Sequence, residues 1–123
     1  MKIYVLVDLF GAIGSISRYS LIQYSPKIIF LNFPIGTLLV NLIGSFLIGV
    51  VSSIFDKNLI TNEIRTYLVF GFLGGFTTFS AFTYEFFNFL KNSEYLNAFL
   101  YIFLSVFLGL ALFIFGYKVI KIF

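Results

Sequence analysis

The sequence predicts an all-α integral membrane protein with four transmembrane helices, the third of them broken in mid-membrane. Hydrophobic residues make up 60% of the 123 residues and charged residues only 11%, and the mean hydropathy is +1.05. A soluble domain is less apolar, at about 45–50%. The apolar residues form four runs long enough to cross a bilayer, and the third run contains a cluster of glycine and hydroxyl residues. The predicted spans, in a single transmembrane domain 1–123, are 3–24, 33–55, 67–89 and 96–117.

The composition excludes several classes of function. The chain has no cysteine and no histidine, which excludes disulfides, thiolate or imidazole metal sites, and catalysis by a nucleophile–histidine pair. We therefore do not expect an enzyme. The net charge of +3 comes from scattered residues, which indicates loops flanking membrane spans rather than a nucleic-acid surface. The first span contains charges and ends without a small-residue cleavage site, so we do not expect a removable signal peptide.

The basic residues are divided unevenly between the two predicted membrane faces. If the N-terminus is cytoplasmic, that face carries Lys2, Lys57, Arg65, Lys118 and Lys121, and the other carries Lys27 and Lys91. This bias is modest, and acidic neighbours offset part of it, so the count does not fix one orientation. Four short helices also can hardly enclose an ion path by themselves. Assembly into an oligomer is therefore expected on size grounds.

The third span carries the stretch Gly71-Phe-Leu-Gly-Gly-Phe-Thr-Thr-Phe-Ser-Ala-Phe82. In hydrocarbon each unpaired backbone group costs several kcal/mol, so a break survives only where protein, water or an ion satisfies it. The three glycines are expected to supply flexibility, and the three hydroxyl residues are expected to supply local partners. Such a break can bind ions through bare carbonyl or N–H groups. The alternative is a kink or a close-packing patch, because Gly71 and Gly75 have the small-residue spacing of touching helices.

Polar residues form faces on the first two spans. Arg18 follows other small and polar residues at steps of three or four, on one helix face. It is interpreted either as an anion-attracting or structural arginine, or as an arginine that extends to the interface. In the second span Thr37, Asn41 and Ser45 form a stripe. The Asn41 amide could join helices or donate N–H groups to a small anion.

Two further groups are candidates for an anion path. Phe79 and Phe82 project from one face after the break, and the positive edges of their rings could contact a partly dehydrated anion without trapping it. Tyr101 and Ser105 could extend a hydroxyl track along the fourth span. Glu85 follows Phe82 by one helical turn and, from the residues alone, is interpreted as a capping or interface acid.

Three segments resemble motifs of the Fluc (CrcB) family of small membrane fluoride channels. The most specific is Gly-Gly-x-Thr-Thr-Phe-Ser-x-Phe at 74–82, and Pro-x-Gly-Thr-Leu-x-Val-Asn-x-x-Gly-Ser at 34–45 matches a second motif almost residue for residue. The segment 11–19 is similar to the glycine-rich opening motif that ends in Arg-Tyr. It differs from the common pattern by Ala12 and Ser15. Ala81 stands where the family usually has threonine, so one hydroxyl is missing.

The resemblance implies a passive, fluoride-selective channel that exports cytoplasmic fluoride across a prokaryotic plasma (inner) membrane. It implies an antiparallel, dual-topology homodimer in the lipid bilayer. A structural Na⁺ ion at the dimer axis would be held by backbone carbonyls of Gly74 and Thr77 from both subunits. The residues predicted to line or adjoin the fluoride pore are Asn41, Phe79, Phe82, Thr78, Ser80, Ser105, Tyr101, Glu85 and Arg18.

Two alternatives remain open from the residues alone. A small dual-topology, proton-coupled exporter of organic cations needs a mid-membrane carboxylate, and Asp8 and Glu85 are the intramembrane acids. Both lie near span ends, and the chain has no tryptophan for a cation cage. A non-transporting assembly factor would use the small-residue faces but would leave Asn41 and the two phenylalanines without a role.

Overall fold

The computed structural model describes residues 1–25 and 34–123, and the regular elements of these residues are helices. The segment 25–34, with two prolines and one charge, predicts a short interfacial turn, but it falls almost entirely on 26–33, outside the described residues. Two of the helices are separated by only two residues of extended chain. The elements are α1 (Lys2–Tyr24), α2 (Ile35–Asp56), α3 (62–76), α4 (Phe79–Lys91) and α5 (Tyr95–Ile122).

Three of the described helices are long and apolar enough to cross a membrane: α1, α2 and α5. The chain is therefore a multi-pass membrane protein. The third predicted span is divided between α3 and α4, which are interrupted at Thr77 and Thr78. The predicted boundaries of the first two spans are close to those of α1 and α2, but the third region extends over 62–91 and α5 continues to Ile122.

The sequence also predicts a solvated polar loop at 56–65, but this segment is partly helical. Its residues are mostly exposed, as expected, but α3 already begins at Asn62. Thr61 caps this helix, because its Oγ1 accepts from the backbone N–H of Ile64 at 3.2 Å. This helix start was not predicted, because the start of the span was placed by the apolar run alone and Thr61 was not recognised as a helix cap.

Helix α3 is a composite, and its glycines do not form the break. An α-helical segment, Asn62–Thr66, continues into a π-helical segment, Tyr67–Leu73, and a final turn, Gly74–Phe76. All three glycines of the central stretch are helical, and among the described residues no glycine has a positive φ. The expectation that glycine flexibility creates the break is therefore wrong, and the interruption begins only at Thr77.

The glycines instead allow close contact between α1 and α3. A methyl group on Gly75 would collide with the carbonyl of Gly11, and one on Gly14 would collide with the carbonyl of Phe72. The close-packing interpretation of these glycines is thus confirmed. Val7 lies against Gly71 and Gly11 lies against Gly75, so residue numbers rise together along this contact and α1 and α3 run parallel.

Helices α2 and α5 form a second close, parallel pair. Gly49 of α2 lies against the backbone of Phe113, and Gly116 of α5 lies against the backbone of Phe46. Further along the same pair, the Tyr117 hydroxyl donates to Asp56 at 2.6 Å. Helix α4 packs on the N-terminal half of α5 and contacts α2. A small buried cluster at this contact contains Leu38, Phe89, Ala98 and Tyr101.

Candidate functional site

The site is built around the interruption between α3 and α4. Thr77 and Thr78 have extended backbone, with ψ angles of 156° and 120°. Thr77 closes the end of α3, since its backbone N–H and its Oγ1 both donate to the carbonyl of Leu73, each at 2.9 Å. Thr78 caps α4, because its Oγ1 accepts from the N–H of Ala81 at 3.2 Å. The two threonines satisfy part of the backbone that the break exposes.

The side chain of Asn41 joins α2 to the break. Its Oδ1 accepts from the backbone N–H of Thr78 at 2.8 Å, and its Nδ2 donates to the carbonyl of Thr78 at 3.0 Å. Thr78 is only 8% exposed, so these bonds replace water that its backbone cannot reach. The amide therefore joins helices, as one of the two interpretations of Asn41 predicted. One N–H of the amide is not used in this pair of bonds.

The break also redirects the two amides that would bond to Gly74 and Thr77 in a continuous helix. The N–H of Thr78 would donate to the Gly74 carbonyl, but it donates to Asn41. The N–H of Ala81 would donate to the Thr77 carbonyl, but it donates to the side chain of Thr78. Both carbonyls predicted to hold Na⁺ have therefore lost their helical partners, and carbonyl oxygens are ligands that suit a hard cation. Among the described residues, no cluster of three or more acidic side chains offers a competing metal site.

A cavity of about 310 Å³ lies beside the break, between α2, α4 and α5. Its lining combines an amide, hydroxyl groups and aromatic rings, and among residues 1–25 and 34–123 no charged side chain belongs to it. The lining residues are Asn41, Ser45, Ile48, Thr77, Thr78, Phe79, Phe82, Ser105 and Val106. The structure thus brings Asn41, the two phenylalanines and Ser105 together, although they lie far apart in the sequence.

Aromatic rings form one wall of the cavity and extend beyond it. The centroids of Phe79 and Phe82 are 5.7 Å apart, with the ring planes inclined by 33°. Phe82 also stacks on Tyr101 at 5.0 Å. Phe79 is 76% exposed in the single chain. One side of the ring pair is therefore anchored in the core, and the other is left open.

Glu85 is held by two hydroxyl groups at the far end of these rings. Oγ1 of Thr37 donates to Oε1 at 2.8 Å, and the hydroxyl of Tyr101 donates to Oε2 at 2.6 Å. Thr37 and Tyr101 are almost fully buried, at 2% and 0% exposure. Tyr101, predicted as part of an open hydroxyl track, is instead a buried partner of Glu85.

The three serines near the break differ in their surroundings. Ser80 lies outside the cavity lining, is exposed, and has its Oγ 3.2 Å from Oγ1 of Thr78. Ser105 lines the cavity, and its Oγ is buried with no hydrogen-bond partner among residues 1–25 and 34–123. Ser45, which lines the same cavity, donates to the carbonyl of Asn41 at 2.9 Å. Ser105 therefore carries the hydroxyl that remains available to a ligand.

Arg18 is not brought into this arrangement. It lies on α1, partly buried, and it lines neither this cavity nor the second one described below. Its Nε is buried and has no hydrogen-bond partner within the described part of the chain. The structure thus shows no contact of Arg18 with this cavity, and its role at the pore stays a prediction.

Thr37 and Ser45 were not predicted to belong to the site, although their stripe with Asn41 is visible in the sequence. Thr37 bonds to Glu85, and Ser45 lines the cavity. The four-residue spacing was the signal that could have placed them there, since one face of α2 points toward α4 and α5 along its length. Ile48 and Val106 carried no signal in the sequence.

Comparison with known proteins shows the family to which the chain belongs. The family model described as "CrcB-like protein, Camphor Resistance (CrcB)" matches residues 5–117. A protein from Gloeothece citriformis is 44% identical over 121 residues, which cover 95% of each chain. One from Leptospira interrogans is 45% identical over 121 residues, covering 98% of this chain and 95% of that one. A relative from Thermus thermophilus is 44% identical over 115 residues, covering 94% and 91%. All three are named fluoride-specific ion channel FluC. The chain therefore belongs to the CrcB family.

Proposed function

We propose that the chain forms a passive, fluoride-selective ion channel and not an enzyme. The observation that carries the proposal is the cavity at the helix break, where an amide, a buried unpartnered hydroxyl and two aromatic rings meet without a charged group. Curated relatives that match nearly the whole chain are named fluoride-specific ion channels. The proposed biological role is the export of cytoplasmic fluoride through a prokaryotic plasma (inner) membrane.

Fluoride is small and holds its water strongly, so a path for it must replace that water with several weak hydrogen-bearing contacts. The remaining N–H of Asn41 and the hydroxyl of Ser105 are donors on the cavity wall. The ring edges of Phe79 and Phe82 carry partial positive charge and contact an anion more weakly than an ammonium or guanidinium group does. Such contacts dehydrate fluoride in part and still release it.

The channel is proposed to use four membrane passes, with α3 and α4 together as the third. Helices α1 and α3 are parallel, and so are α2 and α5, as alternating passes require. With this arrangement one end of the molecule carries Lys2, Lys57, Arg65, Lys118 and Lys121, partly offset by Asp56 and Glu63, and Lys91 lies at the other end. The resulting charge difference is small enough for the chain to insert in both orientations.

The assembly is proposed to be an antiparallel homodimer. Phe79 is 76% exposed, and Gly74 and Ser80 beside it are also exposed in the single chain. The cavity is thus open next to the break, and a second subunit there would cover the ring pair and enclose the path. The same contact would bring the Gly74 and Thr77 carbonyls of two chains together around a structural Na⁺ ion, which would neutralise the ends of the broken helices.

The proton-coupled exporter is less well supported. Its carboxylate must exchange protons and bind a cation in the membrane, whereas Glu85 is held by Thr37 and Tyr101. Asp8, the other candidate, lies on an exposed part of α1, and neither cavity is lined by it.

The proposal is tested by ion efflux from liposomes that contain the purified protein. Fluoride release is followed with a fluoride electrode under a potassium gradient with valinomycin, and chloride release is followed in parallel with a chloride electrode. We expect rapid fluoride release and no chloride release above that of protein-free liposomes. Equal release of the two anions would contradict selectivity, and release of neither by a folded dimer would contradict the channel proposal.

A further inference from the structure

A second cavity, of about 250 Å³, lies on the other side of Glu85. It is formed where α4 ends and α5 begins, close to the start of α2. Two carboxyl groups and two side-chain amides dominate its polar lining. The lining residues are Pro34, Glu85, Asn88, Phe89, Asn92 and Glu94.

One layer of side chains separates the two cavities. Glu85 lines the second cavity and accepts a hydrogen bond from the hydroxyl of Tyr101 at 2.6 Å. The ring of Tyr101 stacks at 5.0 Å on Phe82, which lines the first cavity. The Glu85–Tyr101 pair therefore lies between the lining of the first cavity and the second cavity.

The second cavity differs from the first in charge. Glu94 precedes α5 without a side-chain capping bond, and its Oε2 is buried with no hydrogen-bond partner in the described part of the chain. Glu85 is different, because two hydroxyl groups already donate to its oxygens. The basic residue on the neighbouring turn, Lys91, is exposed and does not belong to the lining. Among the described residues that line the cavity, Glu94 is thus the carboxylate whose charge is not compensated by hydroxyl donors.

We propose that the second cavity is one mouth of the fluoride path and that Glu94 limits the flux by lowering the fluoride concentration in that mouth. The inference rests on the channel function proposed above. A carboxylate about 7 Å from the path repels fluoride by about 0.6 kcal/mol at the dielectric constant of water. This energy corresponds to a two- to threefold lower local concentration. Glu94 then controls how much fluoride enters and leaves the selection of fluoride over chloride to the first cavity.

Ionic strength distinguishes this electrostatic role from a structural one. The screening length is about 30 Å at 0.01 M salt and about 3 Å at 1 M. The fluoride flux of the wild type and of Glu94→Gln is measured in liposomes at low fluoride, with the ionic strength set by a salt of impermeant ions. We expect Glu94→Gln to raise the flux two- to threefold at about 0.01 M and by less than about 1.3-fold at 1 M.

Two further variants keep the test decisive. Glu63→Gln removes the same charge from the start of α3, at the opposite end of the molecule, and is expected to leave the flux unchanged. Asn88→Asp adds a charge to the lining and is expected to lower the flux two- to threefold at low ionic strength only, so it tests the proposal even if Glu94→Gln does not fold.

Unchanged flux in both cavity variants, or a change that persists at 1 M salt, would overturn the role of Glu94. A wild-type protein that conducts no fluoride would overturn the channel proposal, and this inference with it.

Discussion

Asn41 holds both polar backbone groups of Thr78, accepting from its N–H at 2.8 Å and donating to its carbonyl at 3.0 Å. Since Asn41 lies within the continuous helix α2, this pair of bonds holds Thr78, one of the two non-helical residues between α3 and α4. The interruption is therefore positioned by another helix and not by glycine flexibility. The same residue lines the cavity, so the part that holds the break also shapes the site.

Replacing Asn41 should destabilise the fold. Asn41→Ala removes both bonds and leaves an N–H and a carbonyl of a residue that is 8% exposed without their partners. Each unsatisfied group costs about 1–3 kcal/mol, so we expect a loss of about 2–6 kcal/mol for the two groups. The measurement is unfolding in mixed detergent micelles, followed by far-UV circular dichroism, since the chain has no tryptophan. Asn62→Ala, at the exposed start of α3, is the control and should change stability by less than about 0.5 kcal/mol. Equal effects of the two substitutions would contradict the importance of the Asn41–Thr78 bonds.

Glycine substitutions should separate close packing from backbone flexibility. A methyl group at Gly14 or Gly75 would meet a backbone carbonyl of the facing helix, whereas at Gly109 the nearest atom is the Ser45 Oγ at 3.5 Å. We expect Gly14→Ala and Gly75→Ala each to cost about 1–3 kcal/mol. Gly109→Ala should be neutral or stabilising by up to about 1 kcal/mol, because alanine favours the helix. The same unfolding experiment compares them, and a tolerated Gly75→Ala would show that α1 and α3 do not need this contact.

The two hydroxyl donors of Glu85 should be energetically coupled to it. Tyr101→Phe removes the 2.6 Å bond, and Glu85→Gln weakens it by removing the charge. Hydrogen bonds to charged groups contribute about 1.5–3 kcal/mol. In a double-mutant cycle we expect a coupling energy between these substitutions of about 0.5–3 kcal/mol. Val50→Ala combined with Glu85→Gln serves as the uncoupled control, because Val50 lies several turns along α2 from Thr37, the residue of that helix that bonds to Glu85. Additive effects of Tyr101→Phe and Glu85→Gln would mean that the bond contributes nothing to stability.

The proposed Na⁺ site predicts that removal of Na⁺ lowers the thermal stability of the purified protein. Binding at the Gly74 and Thr77 carbonyls would stabilise the folded assembly by about 2.7 kcal/mol when the ion is present at about 100 times its Kd. We expect the midpoint of thermal unfolding to fall by at least about 4 °C when Na⁺ is replaced by N-methylglucamine at equal ionic strength. K⁺ should restore less than Na⁺. Identical midpoints in all three salts would exclude a stabilising Na⁺ site.

The sequence was sufficient to predict the membrane class, the approximate bounds of α1 and α2 and most of the residues around the cavity. Long apolar runs indicate the segments that cross the bilayer, and the stripe of Thr37, Asn41 and Ser45 indicates which face of α2 packs against other helices. The position of the break was harder to predict, because Gly71, Gly74 and Gly75 suit a flexible hinge and a close helix contact equally well. Only the position of α1 against α3 decides between them.

The hydrogen-bond partners of Glu85 and the position of Arg18 show a second limit of prediction from sequence. Thr37 and Tyr101 are 64 residues apart in sequence and meet only through Glu85, so no local spacing signals their contact. Arg18 was singled out for its charge within a span, but its placement depends on how α1 packs. Long-range contacts decide both cases, and periodicity describes only one helix at a time.

The most direct test of the central claim is fluoride efflux from liposomes that contain Phe82→Ile, with Phe87→Ile as the control. Phe82 lines the cavity, whereas Phe87 is an exposed ring on the same helix and does not line it. Isoleucine keeps an apolar side chain but removes the positive ring edge. We predict that Phe82→Ile lowers fluoride efflux at least about 10-fold, a barrier increase of about 1.4 kcal/mol, and that Phe87→Ile remains close to the wild type. Full efflux through a folded, dimeric Phe82→Ile variant would contradict a fluoride path along these rings.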